Sequence, residues 1–428
     1  MEQEQPKKRT PSRLTDVPLA VACAAVPLGA LAARFAGPGP DVSPFLAWVV
    51  LAALGAVHAI LFRRSGQRLR RRFFAELGMF AVLAAIVILY REVLILELAE
   101  YLPVVPELAP AVMLLFCWLW VITFGLPDRA AFQRYGALLG ALCLLDLAVE
   151  GFVYRAAPSM RWIGDADLLA GLLLVCLCAA LRPGLADDGI AEPDQGRSYQ
   201  RVLILLGIMG TLSRTGLFGA GWIYLCFGRG SRWLRAGVFL ACLLLLAATF
   251  QLPPTPSDLA RYVDYWLWAK SVTLFLHEPF TLVAGLPLGH ALPFTFPPEM
   301  VQIWERVTGE PTLFGAHMAQ VSSFWLRFML GWGAILPAIG LTALFTLILR
   351  RPTRMGAGLA AVVFVQGMST PLLYDPSTGA VLGLALFLAL SAPRGTVPAT
   401  PPATAAAAPV AEPQPEADPA REWDMRPL

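Results

Sequence analysis

Stretches of about 18–25 nearly uninterrupted apolar residues recur along this chain, each long enough to cross the ~30 Å hydrocarbon core of a bilayer as a helix. No water inside a bilayer can satisfy a bare peptide group. Spanning segments must therefore be helices, or strands closed into a barrel. The apolar runs here are continuous rather than alternating, which excludes the barrel. Composition agrees: 57% of the 428 residues are hydrophobic and only 15% are charged, where a soluble domain keeps roughly a quarter charged. The expected fold is an all-α polytopic membrane protein of about twelve transmembrane helices.

The spans read from the sequence lie near 16–36, 44–62, 73–91, 104–124, 134–152, 166–182, 201–213, 215–228, 235–251, 322–349, 356–372 and 377–392. Arginine sorts the loops between them. Residues 63–72 hold Arg63, Arg64, Arg68, Arg70, Arg71 and Arg72; residues 229–235 hold Arg229, Arg232 and Arg235; residues 350–354 hold Arg350, Arg351 and Arg354. Short basic loops stay in the cytoplasm, so both ends of the chain are expected there, and segments 92–103, 153–165, 252–321 and 373–376 on the outer side. The expected organisation is a cytoplasmic start at 1–15, membrane helices over 16–251, an outer loop over 252–321, membrane helices over 322–392 and a disordered Ala/Pro-rich tail over 393–428. The basic start runs into the first span with no convincing cleavage site, so that helix is expected to stay.

Segment 252–321 is the one substantial outer loop, and loops of that length are usually functional. Residues 258–276 predict an amphipathic helix, with Trp266 and Trp268 suited to the membrane–water interface. The Gly/Pro-rich stretch after it predicts turns and loop, and a second short helix is expected over about 298–308.

Few residues in the chain suit chemistry. Arg214, in GTLSRTG, lies at the outer end of a helix pair with no acid nearby in sequence. It reads equally as a side chain snorkelling to headgroups or as a guanidinium fork aimed at an anionic ligand, with the amino end of the next helix beside it. Arg261 sits on the amphipathic helix, where the spacing to Asp264 predicts an ordinary (i, i+3) pair on a solvated face. Of the four histidines, His58 lies within a span, His277 and His290 flank the Gly/Pro stretch, and His317 stands where the outer loop enters the next span. Any one of them reads most simply as structural, although an imidazole can also take a proton from a sugar hydroxyl. Asp146 and Glu150 share a span at (i, i+4), and Glu76 and the Arg91–Glu92 pair are similar intramembrane charges. The seven cysteines all fall in apolar stretches and read as small buried hydrophobes, with no disulfide framework and no zinc site. There is no P-loop, GxSxG or HExxH.

Five stretches then fall into a familiar order: WIGDADLLAGLLL, GTLSRTGLFGA, ARYVDYWLWAKSV, HEPFTLVAGLPLG and GAHMAQVSSFWLRFMLGWGAI. Over about residues 160–345 the chain resembles the O-antigen ligase and O-antigen polymerase superfamily of bacterial envelope proteins. Ala166 and Asp167 stand where that family has Pro-Asn, Met318 where Asn is common, and LVAGLPLG is longer than the usual spacing. The resemblance implies a metal-independent, inverting glycosyltransferase at the periplasmic face of the bacterial inner membrane. Its donor would be a glycan on undecaprenyl diphosphate. Its acceptor would be a lipid A core sugar in a ligase, or a second lipid-linked glycan in a polymerase. Arg214 and Arg261 would bind the diphosphate, and His317 would activate the acceptor hydroxyl. No cofactor and no nucleic acid partner are expected; membrane lipids are. The contrasting expectation is a non-enzymatic transporter or flippase, with Asp146, Glu150 and Arg214 along its path.

Overall fold

A computed structural model describes residues 13–36, 48, 50–55, 57, 106–153, 163–181, 198–228, 230–252, 256–288, 291–308, 317–350 and 353–391. The expected span 73–91, the basic loop 63–72, the outer segment 92–103, the tail 393–428, His58, His290, Glu76 and the Arg91–Glu92 pair lie outside the described residues. The described residues are almost wholly helical and contain no strand, only an isolated antiparallel bridge between Ala291 and His317.

In chain order the helices are α1 (Val17–Ala20), continued through a π-turn into α2 (Val26–Ala36), then α3 (Ala109–Phe124), α4 (Arg129–Ala148), α5 (Ala166–Ala179), α6 (Ser198–Thr211), α7 (Arg214–Phe227) and α8 (Arg232–Thr249). Segment 252–321 supplies α9 (Pro256–His277), α10 (Pro279–Ala284) and α11 (Pro298–Thr308). The chain closes with α12 (Phe324–Trp332), α13 (Ile335–Arg350), α14 (Arg354–Gly367) and α15 (Pro376–Ser391). Among the described residues, four runs are long and apolar enough to cross a membrane: Leu14–Ala33, Pro106–Phe124, Arg129–Phe152 and Arg232–Thr249. α5, α14 and α15 are shorter apolar helices. This is the fold of a helical membrane protein. α8 shows its lipid-facing side plainly, with Trp233, Leu234, Leu240 and Leu244 all exposed.

Side chains cap the helix starts as their sequences allow. Ser231 Oγ accepts from Leu234 N–H at 3.2 Å, Thr353 Oγ1 from Gly356 N–H at 2.9 Å, and the Asp375 carboxylate from Thr378 N–H at 2.7 Å. Between helices in an apolar medium, close approach of backbones replaces hydrophobic burial as the source of packing energy, and small residues permit it. α4 and α6 meet in this way: a Cβ on Gly207 would lie 2.4 Å from Gly140 Cα, and one on Gly140 would lie 2.4 Å from Leu203 O.

Three sequence expectations change. The span expected over 322–349 is broken: Gly333, at φ +72°, ends α12, and α13 starts again at Ile335. The break is held by backbone: Ala334 N–H donates to Leu282 O at 2.7 Å and Leu286 N–H to Leu330 O at 2.6 Å. A Cβ on Gly333 would come within 2.3 Å of Val283 O, so only glycine fits there. The stretch after His277, expected as turns, contains the short helix α10, which has Pro279 in its first turn, where a missing N–H costs nothing. The tryptophans of α9 turn inward rather than to the interface. Trp266 packs on Phe296 at 4.7 Å between ring centroids, and Phe296 packs on Trp304 at 5.2 Å. Val263, Leu267, Phe275, Trp304, Met318, Leu326 and Leu330 join them in a second apolar core. The described residues of α9, α10 and α11 thus form a packed unit seated on α12, and Tyr262, Tyr265, Val272 and Leu276 form the exposed stripe of α9.

Six cysteines are buried as expected, whereas Cys226 is exposed. The α4–α6 crossing yields a stability prediction. Gly207→Ala should destabilise the purified protein by about 1–3 kcal/mol through overpacking, read as a lower melting temperature. Gly237→Ala, whose Cβ would meet nothing within 4 Å, should leave it unchanged or raise it.

Candidate functional site

Two helix starts converge next to α9. α5 begins at Asp165, whose carboxylate accepts from Asp167 N–H at 2.8 Å and Leu168 N–H at 3.1 Å. α7 begins at Ser213, whose hydroxyl accepts from Gly216 N–H at 3.0 Å. Gly216 lets the helices touch, because a Cβ there would lie 2.5 Å from Ala170 Cβ. The turn joining α6 to α7 places Leu212 at φ +53°. A non-glycine residue persists there only when its surroundings enforce it, and such residues gather at functional sites.

The first turn of α5 thereby brings Asp167 against Ser213 and Thr215. The Ser213 hydroxyl donates to Asp167 Oδ1, and so does the Arg261 guanidinium, reaching in from α9 as an ion pair. Both partners are well buried, with side-chain exposures of 13% for Arg261 and 6% for Asp167. Arg261 also donates to Thr215 Oγ1 at 3.4 Å, and Thr215 Oγ1 donates to Gln366 Oε1 of α14 at 3.2 Å. Gln366 is fully buried, and its Nε2 makes no hydrogen bond. The result is a polar cluster from α5, α7, α9 and α14 at the ends of apolar helices, with a guanidinium and two hydroxyls converging on one carboxylate beside two helix amino ends.

Arg261 departs from the expected (i, i+3) pairing on a solvated face. Its ion-pair partner is Asp167, 94 residues away, while Asp264 is buried and accepts from the Ser322 hydroxyl. The cause is tertiary: this face of α9 packs onto the membrane helices and the 317–323 segment, so both charges are drawn to partners there. Arg214, between Ser213 and Thr215 in the chain, donates to Thr249 O at 3.4 Å, and its guanidinium lies 4.4 Å from the Phe250 ring centroid. A cation at the carboxyl end of α8 suits that helix's dipole. His317 is half-buried, and its backbone bridges to Ala291. Its N–H donates to Gln320 Oε1 at 2.9 Å, and its carbonyl accepts from Gln320 N–H at 3.1 Å. The chain leaving His317 reaches Ser322, which bonds Asp264, one turn along α9 from Arg261. One helix therefore holds both Arg261 and the segment that His317 opens.

A second buried charge pair lies near this segment. Arg327 of α12 donates to both carboxylate oxygens of Glu107, at 2.8–3.1 Å, and to Ala319 O at 3.1 Å. Its guanidinium lies 3.9 Å from the centroid of the Tyr374 ring. Sequence reading passed over Asp167, Gln366, Glu107 and Arg327. The available signal for two of them, Glu107 and Arg327, was a lone charge within an apolar stretch, which must find a partner. Asp146 and Glu150 are both buried on the α4 run. Among the described residues, no group of three or more His, Cys, Asp or Glu is gathered to hold a metal ion. No family model matches the chain, and no curated protein matches it.

Burial pushes the Asp264 carboxyl up from its ordinary 3.8 to about 7, against the opposing pull of the Ser322 hydroxyl, the Ser322 and Ser323 amides and Arg261. The fold therefore favours the neutral acid. This contribution to stability is complete below about pH 4 and is lost as pH rises through about 7. Thermal melting should show the protein more stable at pH 5.5 than at pH 8. Asp264→Asn, which stays neutral, should remove most of that difference.

Proposed function

We propose that this protein is a glycan transferase working at the outer face of a bacterial inner membrane, in a bundle of about twelve spans. Its donor is a glycan on a polyprenyl diphosphate such as undecaprenyl diphosphate. Its acceptor is a sugar hydroxyl, on lipid A core in a ligase or on a second lipid-linked glycan in a polymerase. The observation that carries the reading is the convergence of Arg261 and the Ser213 and Thr215 hydroxyls on one buried carboxylate, that of Asp167, beside the amino ends of α5 and α7. Helix amino ends and a guanidinium fork form an anion site, and phosphate oxygens suit both. Asp167 fills that site here. A diphosphate would share or take over the donors that now serve it.

The proposed reaction needs few parts. The acceptor oxygen attacks the anomeric carbon as the bond from that carbon to the phosphate oxygen breaks, and the configuration inverts. Polyprenyl diphosphate leaves with the bonding pair, and Arg261, with Arg214 at the adjoining helix start, offsets the charge that develops. His317 takes the hydroxyl proton. The membrane delivers both substrates sideways, and the unit formed by α9, α10 and α11 covers the site. The buried acids Asp146 and Glu150 favour the contrasting reading, a transporter. In that case Arg261 and His317 would be dispensable and flux would depend on protons or another ion.

Two variants test the proposal in reconstituted membranes with a lipid-linked donor. Removing one charge-assisted donor from a developing anion costs about 10²–10³ in rate. Arg261→Ala should therefore lose at least a hundredfold in transfer, and His317→Ala should lose transfer while still binding donor. Full transfer by correctly inserted Arg261→Ala protein contradicts the reading.

A further inference from the structure

We infer that the buried Glu107–Arg327 pair is a positioning device for His317, fixing the turn that presents its imidazole; this rests on the role proposed above for His317. Arg327 is saturated in a particular way. One edge of its guanidinium is spent on Glu107, at the entrance to α3, in a two-oxygen clasp. The Tyr374 ring covers its face. The remaining nitrogen reaches out of the clasp to the Ala319 carbonyl, two residues beyond His317. Ala319 lies within the 3₁₀ turn Met318–Gln320, whose last residue is bonded twice to His317: Gln320 Oε1 accepts its N–H, and Gln320 N–H donates to its carbonyl. Met318 adds a steric stop, since a Cβ on Gly331 of α12 would lie 2.9 Å from its sulfur.

The turn bearing His317 is thus gripped from below by a side chain on α12, and that side chain's orientation is set by an acid from another part of the chain. Arg327 is itself anchored, because Trp325 Nε1–H donates to Val363 O at 3.1 Å and holds α12 against α14. A buried pair is a poor source of net stability but a good source of fixed geometry, since neither partner can move without leaving a charge bare. Charge balance alone would be met by Glu107 and Arg327 without any bond to Ala319. That additional bond is the one aimed at the site.

The test separates positioning from folding. A single change strands a buried charge, so the informative variant removes both: Glu107→Gln with Arg327→Met. With no charge left bare, this protein should keep its melting temperature within a few degrees. Its kcat should fall at least tenfold with donor KM nearly unchanged, and diethyl pyrocarbonate should modify His317 several times faster, read by peptide mass spectrometry. Arg327→Lys keeps the charge but loses the fork, and should be intermediate in both readouts. Unchanged modification of His317 in the double variant overturns the inference. So does a loss of activity explained wholly by a lower melting temperature. The modification rate does not depend on transfer. If His317→Ala proves fully active, the catalytic reading fails while the positioning of the turn is still decided.

Discussion

The ion pair between Arg261 and Asp167 is the constraint around which α5, α7 and α9 are arranged. Neither group can stand alone where it lies: breaking such a pair by removing one partner leaves a bare buried charge, at a cost of about 3–5 kcal/mol. The pair therefore fixes where α9 sits on the membrane helices. It also fixes the approach of α5 to α7, because Asp167 must reach Ser213 and Arg261 together. Gly216, which lets the two helices touch, and Leu212, held at positive φ in the turn, are local consequences of that requirement.

The unit formed by α9, α10 and α11 extends this logic. Its core of Leu267, Trp304, Met318 and Leu330 makes it a packed body rather than a mobile loop. Its seat on the break between α12 and α13 is a run of backbone contacts through Gly285 and Gly333, which tolerates no side chain at either position. Asp264 and Ser322 then tie the segment following His317 to the same helix that delivers Arg261. In the proposed reaction the acid–base residue and the diphosphate donor are thereby held by one rigid element, a form of preorganisation that spares the transition state the cost of assembling them.

Much of this could be read in the sequence, for identifiable reasons. The membrane helices follow from the length of the apolar runs, and α9 and α11 follow from their periodicity and breakers, with α11 found at Pro298–Thr308 where a helix was expected over about 298–308. By residue type and place alone Arg261 and His317 read as structural, and only the family resemblance singled them out. Pairing was not legible. The neighbour of Arg261 along its helix is Asp264, and only the folded chain brings up Asp167 instead. The inward turn of Trp266 and Trp268 was hidden because their helix is flanked by apolar residues on more than one face, and the partner face, Phe294, Phe296 and Trp304, comes from later in the chain. The interruption at Gly333 was masked by an apolar run that continues through it.

The central claim is that Arg261, with the helix ends beside it, recognises a diphosphate. The most direct measurement is binding of undecaprenyl diphosphate, with undecaprenyl monophosphate for comparison, to the purified protein in nanodiscs. It would be made on the natural chain and on Arg261→Gln. The account predicts tighter binding of the diphosphate than of the monophosphate, weakened by salt, with that preference lost in Arg261→Gln. Equal affinity for both lipids, or a preference that survives in Arg261→Gln, would contradict it.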